Sequence, residues 1–456
     1  MHNDVAYKFY FTQVLLQKEK KMRHLYKLAS LFFVLAILLS ACSMGAATPT
    51  PIVPPTDAPA GPTDTAAPAE TATTDSATAA PAATEDTTGK LVFGLLMVGP
   101  YNDHGWSQAH YDAAQYVVNH VPGTSMVYVD KVNPADRPGT KASQLAEDLV
   151  AKGAKLIIFN SDDMKDEATI FAKAHPDIKV IMASGDQVWK DGKAYTELSN
   201  MTNIMGRMEY GKMIAGCAAA LTSQTGQIAY LGPLINDETR RLASSAYLGA
   251  KYCWTKYAGK DAKDLKFKVS WIGFWFNIPG VTSDPTQVAD DFFNTGYDVV
   301  ISGIDTTEAI TEAKKFAGDG KKAFAVPYDY VGACEEAKEV CVGTPYFNWG
   351  PAYATAVKSV ADNTWKSEFL WNAPDWSNIN NMETSAVGFE KGDALSTDGS
   401  TNLDAFIGEL ASGLNLWKGP LNLQDGSSYL KDGVAATDQE IWYLPQLLEG
   451  MEGASK

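Results

Sequence analysis

From Leu91 onward the chain alternates short apolar runs with segments of helical period. Leu91–Val98 is a continuous apolar run, the pattern of a strand covered by helices on both faces. A polar turn follows, Gly99-Pro100-Tyr101-Asn102-Asp103-His104-Gly105-Trp106, and then a helix over about Ser107–Asn119. The order repeats with strand Ser125–Val129, helix Lys141–Lys152, strand Leu156–Phe159, helix Asp163–Ala174 and strand Val180–Ala183. A second set begins near Asn200. It predicts helix Gly206–Leu221, strand Gln227–Leu231, helix Glu238–Tyr257, strand Phe267–Trp275 and helix Pro285–Thr295. Strand Val299–Ser302, helix Thr307–Phe316 and strand Lys322–Val326 complete it. Val342–Phe347 then reads as a strand and Pro351–Asn363 as a helix. The tail from about 370 is less regular, with a polar stretch at 391–403 and a short helix at Asp404–Ser412.

This β-α alternation predicts an α/β fold: two doubly wound parallel-sheet lobes joined by a hinge. Residues 90–200 form lobe 1, with 342–365 returning to it, and 201–341 form lobe 2. Residues 366–456 are placed at the hinge and as an extension of lobe 2.

The amino-terminal pattern is different. Lys18, Lys20, Lys21, Arg23 and Lys27 precede the apolar run Leu31–Leu39. A spanning helix needs ~20 apolar residues, so the run suits a signal peptide instead. Leu39-Ser40-Ala41-Cys42 is a lipobox, which predicts cleavage after residue 41 and acylation of Cys42. Met22 is the start that gives the signal an ordinary length. Two acyl chains hold a protein stably on a bilayer. The expected location is therefore the extracytoplasmic face of the cell membrane. Residues 42–89 carry the lipidated Cys and then an Ala/Thr/Pro-rich tether without aromatics or basic side chains until its end. Such a segment cannot bury enough apolar surface to order itself.

About 365 residues remain, enough for two domains at ~100–200 residues each. The net charge of −16 argues against a nucleic-acid-binding face. Beyond Cys42 there are four cysteines, and an even number in an exported chain suggests two disulfides. Cys334 and Cys341 flank a short acidic loop and are the better pair, which leaves Cys217 with Cys253; four buried thiols are the alternative.

Ligands of doubly wound sheets sit at the carboxyl ends of the strands. The residues that follow the predicted strands are therefore the candidates: Tyr101, Asn102, Asp103 and Trp106; Asn160 and Ser161; Asp186; Trp275, Phe276 and Asn277; Asp305; Asp329; and Trp349. Aromatic faces stack on planar rings, and amides and carboxylates serve ring edges and hydroxyls. Basic residues are scarce in the set, which argues against an anionic ligand. Each candidate also has a plainer role, as helix cap, lobe core or hinge packing. No HExxH pair, GxSxG elbow, Walker A loop or CxxC occurs, and the six histidines lack metal-ligand spacing. Neither catalysis, a metal nor a cofactor is expected.

Over about 90–370 the chain resembles the basic membrane protein family of lipoproteins, which includes purine nucleoside receptors of ABC importers. The resemblance lies in Asn102-Asp103-His104-Gly105-Trp106 with His110, in Gly206-Arg207, and in the helix from Thr239-Arg240-Arg241 to Leu248-Gly249-Ala250. Trp275-Phe276-Asn277, Tyr328-Asp329 and Asn348-Trp349-Gly350-Pro351 complete it. It implies a type I periplasmic-binding-protein-like fold, closing on a purine nucleoside or nucleobase. It suggests Trp106 and either Phe276 or Trp275 as ring-stacking residues, and Asp103, Asp305 and Asp329 as polar contacts. Asn277 stands where the family usually has Asp. The implied partners are ABC permease subunits, with the protein itself a monomer. A sensor of the same fold for a sugar or other small molecule is the second reading, and a nucleoside hydrolase the third.

Overall fold

The structure, a computed structural model, describes residues 90–456. The expected signal sequence, Cys42 and the whole of the tether lie outside the described residues. Two parallel sheets organise the rest. The first has strands β1 (Leu91–Leu96), β2 (Thr124–Val129), β3 (Leu156–Phe159), β4 (Lys179–Ala183), β5 (Met201–Gly206) and β11 (Phe369–Asn372), in the order β11-β5-β4-β3-β1-β2. Every neighbouring pair in it is parallel. Helices α1 (Trp106–His120), α2 (Ala142–Ala151) and α3 (Lys165–Ala174) are its crossovers. The central strands are buried along nearly their whole length, as their unbroken apolar runs require.

The second sheet has strands β6 (Gln227–Gly232), β7 (Lys266–Trp271), β8 (Val299–Ser302), β9 (Phe324–Val326) and β15 (Met451–Glu452), all parallel, in the order β15-β7-β6-β8-β9. Its helices are α4 (Met208–Thr222), α5 (Asp237–Lys256), α6 (Pro285–Asn294) and α7 (Glu308–Gly318). α4 and α5 touch backbone to backbone: a Cβ at Gly216 would stand 1.8 Å from the Ala246 carbonyl oxygen, and one at Gly249 2.0 Å from that of Met213. This explains the Gly- and Ala-rich composition of α4, and the Cys217–Cys253 disulfide joins the same two helices. A second disulfide links Cys334 and Cys341. An asparagine cap opens α5, with Asn236 Oδ1 accepting from the Thr239 N–H at 2.9 Å.

Strand β10 (Gly343–Phe347) pairs antiparallel with β12 (Val387–Lys391), and α8 (Gly350–Ala361) buries Tyr353 and Val357 in the core of the first half. The carboxyl-terminal stretch adds α9 (Thr397–Ala411), a hairpin of β13 (Leu421–Asn422) and β14 (Ser428–Leu430), and α10 (Asp438–Trp442).

Two boundaries differ from the sequence reading. Residues 201–206 were expected on the lobe 2 side, yet β5 is a strand of the first sheet, so the chain crosses over at Arg207. Thr202 and Asn203 gave the segment a polar look. Asn203 is fully buried, with its amide spent on the Ser184 carbonyl, Gln187 and the Val188 N–H. Similarly, the 366–456 extension is not confined to hinge and lobe 2, because β11 closes the edge of the first sheet.

Candidate ligand-binding site

The carboxyl ends of both sheets meet at one cavity. Its lining comes from Trp106 at the start of α1, Ser161 and Asp162 after β3, and Ser184 after β4. The second half contributes Tyr230 on β6, Glu238, Thr239 and Leu242 on α5, Trp275 after β7, Gly303 and Asp305 after β8, and Tyr328 after β9. The space between these residues is about 400 Å³, including the part open to solvent. The halves are closed against each other. A Cβ on Gly105, in the first half, would lie 1.8 Å from the carbonyl oxygen of Asp305, in the second.

Trp106 is held from behind. Its indole N–H donates to the Asn160 carbonyl at 2.7 Å. Phe347 and Trp349 meet its ring edge-on, each with centroids 5.4 Å away. His110 stacks on Trp349 and hydrogen-bonds the Tyr353 hydroxyl at 2.6 Å. Burial pushes His110 well below its usual range, so the ring is neutral. An indole fixed on two sides offers a ligand a surface at low entropic cost.

Several buried polar atoms at the cavity have no hydrogen-bond partner. Among the lining residues these are Ser184 Oγ and the Tyr328 hydroxyl. Asn160 Nδ2 and both carboxylate oxygens of Asp329, each next in sequence to a lining residue, are in the same position. Leaving such a group unpaired costs about 1–3 kcal/mol, so the cluster marks where a bound molecule supplies the missing partners. Lys212 is fully buried; its ammonium donates to the Ser302 carbonyl at 2.7 Å and lies 3.0 Å from the Tyr328 ring centroid. Burial holds Lys212 well below its usual range, opposed by the nearby Asp329 charge. Burial and neighbouring carboxylates push Asp305 and Asp329 well above theirs. Glu238 is pushed up to about 7, mainly by burial.

The sequence candidates divide by position. Trp106, Ser161, Trp275 and Asp305 line the cavity, and Asn160 and Asp329 flank it. Asp103 is a cap: its carboxylate accepts from the N–H groups of Gly105, Ser107 and Gln108 at 2.9–3.0 Å. Burial still pushes it up to about 6. Asp103, Phe276 and Asn277 line a separate groove rather than the cavity, so of the two candidate stacking rings Trp275 is the one on the wall. Asp186 accepts from the Tyr443 hydroxyl in a side chamber. Trp349 sits behind Trp106. Tyr101 and Asn102 are exposed, with Tyr101 packed on Tyr111 and Tyr128. Sequence reasoning missed Lys212, Tyr230, Glu238 and Leu242, which lie within elements rather than after strands. A lone lysine in the Ala- and Gly-rich helix around Lys212 was the available signal.

A family model described as ABC transporter substrate-binding protein, PnrA-like, matches residues 90–392. The chain belongs to that family. A purine-binding protein from Brucella abortus is 29% identical over 364 residues, covering 80% of this chain and 93% of that protein. A protein from Haloferax volcanii, provisionally described as a glucose-binding protein of an ABC transporter, is 24% identical over 60% of this chain and 62% of its own. Among solved structures, a solute-binding protein of an ABC transporter system from Aeropyrum pernix superposes with a TM-score of 0.58. It is 14% identical over 77% of this chain and 95% of its own, which speaks for the type I periplasmic-binding-protein fold alone. In this PnrA-like substrate-binding protein, residues 393–456 lie beyond the family match. Among the described residues no helix is long and apolar enough to cross a membrane.

Proposed function

We propose that this substrate-binding protein captures a purine nucleoside or nucleobase and presents it to an ABC permease, anchored to the membrane by acyl chains on Cys42. One observation carries the reading: indoles from opposite halves, Trp106 and Trp275, line one narrow cavity that also holds the unpaired hydroxyls of Ser184 and Tyr328 and the buried acid Asp305. Flat apolar faces with a few directed polar groups suit an uncharged heterocycle. The buried carboxyls disfavour phosphates and suit ligand hydroxyl and amino donors. The purine-binding relative supports the same ligand class. Ligand bridging the halves shifts the population toward the closed form.

Isothermal titration with adenosine, guanosine, inosine and the free bases tests this, with glucose as the rival ligand. Micromolar or tighter binding of a purine is expected. Silence across the purines, or binding of glucose alone, overturns it. On the same preparation, Cys42→Ala is expected to move the protein from the membrane to the soluble fraction; retention on the membrane rejects the anchor.

A further inference from the structure

The carboxyl-terminal stretch crosses from one half to the other in very few residues. Trp442, the last residue of α10, is buried against the first-half rings of Trp371, Phe369 and Trp189, with centroids 4.9, 5.2 and 5.7 Å away. Beside it, Asp438 accepts two charged hydrogen bonds from Arg207, of 3.0 and 2.6 Å, where β5 gives way to α4. Gln439 donates to the Asp191 carbonyl, and the Tyr443 hydroxyl donates to Asp186 and accepts from the Lys193 N–H at 2.6 Å. Two residues after Trp442, the Leu444 carbonyl accepts from Arg240 at 2.7 Å, on α5 of the second half. Leu444, Leu447 and Leu448 are buried in the core of that half, and β15 beyond them joins its sheet. Arg241, also on α5, lies over the Trp442 ring at 4.1 Å, so the indole sits at the junction itself.

The length of the link sets its mechanics. Two residues of chain reach at most ~7 Å when fully extended. A hinge rotation separates points that lie off its axis, and so short a link tolerates little separation. Either the first half releases α10 or the rotation stops. Release would expose a buried indole and strip Asp438, Gln439 and Tyr443 of their partners, both of which are costly. The rotation therefore stops first.

We infer that residues 438–448 form a strap that limits how far the two halves open. The crossing lies beyond the family match at 90–392, so the stop is added to the hinge of that stretch. A narrow opening keeps the closed, binding-competent form well populated, which favours capture at low ligand concentration.

The test reads the opening directly and needs no ligand, so its outcome is separate from that of the nucleoside reading. Asp136 of the first half and Thr311 of the second are exposed and line the groove that also holds Asp103 and Phe276. Spin labels on Asp136→Cys and Thr311→Cys, in a Cys42→Ser background, report the distance between the halves by pulsed electron resonance. Inserting Gly-Ser-Gly-Ser between Tyr443 and Leu444 adds up to ~14 Å of reach and leaves both anchors in place. The distance distribution is expected to gain a longer population that the natural strap does not allow, with the melting temperature nearly unchanged. An unchanged distribution in the folded insertion variant overturns the strap. If the insertion abolishes the melting transition, Asp438→Ala combined with Tyr443→Phe decides, because it keeps the chain length and loosens only the polar grip. That variant is expected to broaden the distribution toward longer distances, and a distribution matching that of the unsubstituted strap overturns the inference.

Discussion

The two halves of the cleft treat their acidic side chains in opposite ways. In the first half each carboxylate at the site is compensated: Asp103 by three backbone N–H groups, Asp162 by Lys165 at 3.1 Å. In the second half both carboxylate oxygens of Asp329 are buried without a hydrogen-bond partner, and burial pushes Glu238, Asp305 and Asp329 above their ordinary range, with Arg241 acting on Glu238 and Lys212 on Asp329. The acids of the first half have their partners without ligand; in the second half Asp329 does not. Buried, unpaired polarity is costly, and a binding protein can recover that cost only when the right molecule arrives. The second half is therefore where ligand identity is read, and the first supplies a fixed platform of rings.

The sharpest way to break the comparison is to keep the halves from meeting. Gly105→Ala puts a methyl group into the Asp305 carbonyl across the cleft. If closure completes the site, affinity is expected to fall roughly a hundredfold, about 2.7 kcal/mol, because the competent form becomes scarce. Ligand-induced compaction in small-angle scattering is expected to vanish, with the melting temperature of the free protein nearly unchanged. Full compaction in the variant would show that the contact does not limit closure.

A smaller effect, of opposite sign in the two halves, separates the compensated acids from the others. Asp103→Ala removes a helix cap and is expected to destabilise the free protein by about 1 kcal/mol. Asp305→Asn removes a buried acid, so the free protein is expected to become more stable at neutral pH while ligand binding weakens. Denaturant melts of the free variants decide it, and destabilisation by both would erase the distinction.

The smallest expected effect is in the pH profile. Glu238 rises from an ordinary 4.5 to about 7 on burial, and Asp103 from 3.8 to about 6. Both bind their protons more tightly when folded. Their influence thus favours the fold at low pH and is lost as pH rises through about 6 to 7. Glu238→Gln is expected to flatten the melting temperature between about pH 4.5 and 7, whereas Ser184→Ala, in the first half, is expected to leave the slope as it is. A slope unaltered by Glu238→Gln would remove that residue from the comparison.

Much of the first half could be read in the chain because strands buried on both faces are apolar along nearly their whole length: Leu91–Leu96, Leu156–Phe159 and 180–183 advertise themselves. Trp106, Ser161, Trp275 and Asp305 could be read from the rule that ligands gather after strand ends. What escaped depends on long-range pairing. β5 hides because the hydrogen bonds that make buried Asn203 acceptable come from Ser184 and residues 187–188. β11, four residues long, is a strand only because β5 lies beside it. Glu238, in the first turn of α5, escaped because nothing local shows that it faces a cavity.

The last strand has a consequence for how the molecule is assembled. Leu444, Leu447, Leu448 and Met451 are buried in the core of the second half, and β15 supplies an outer strand of its sheet. The first sheet likewise waits for residues 369–372. A chain that emerges amino end first can complete neither half early. It must be kept from premature collapse until almost its entire length has been delivered, and losing a dozen residues from the tail should undo the second half rather than merely shorten it.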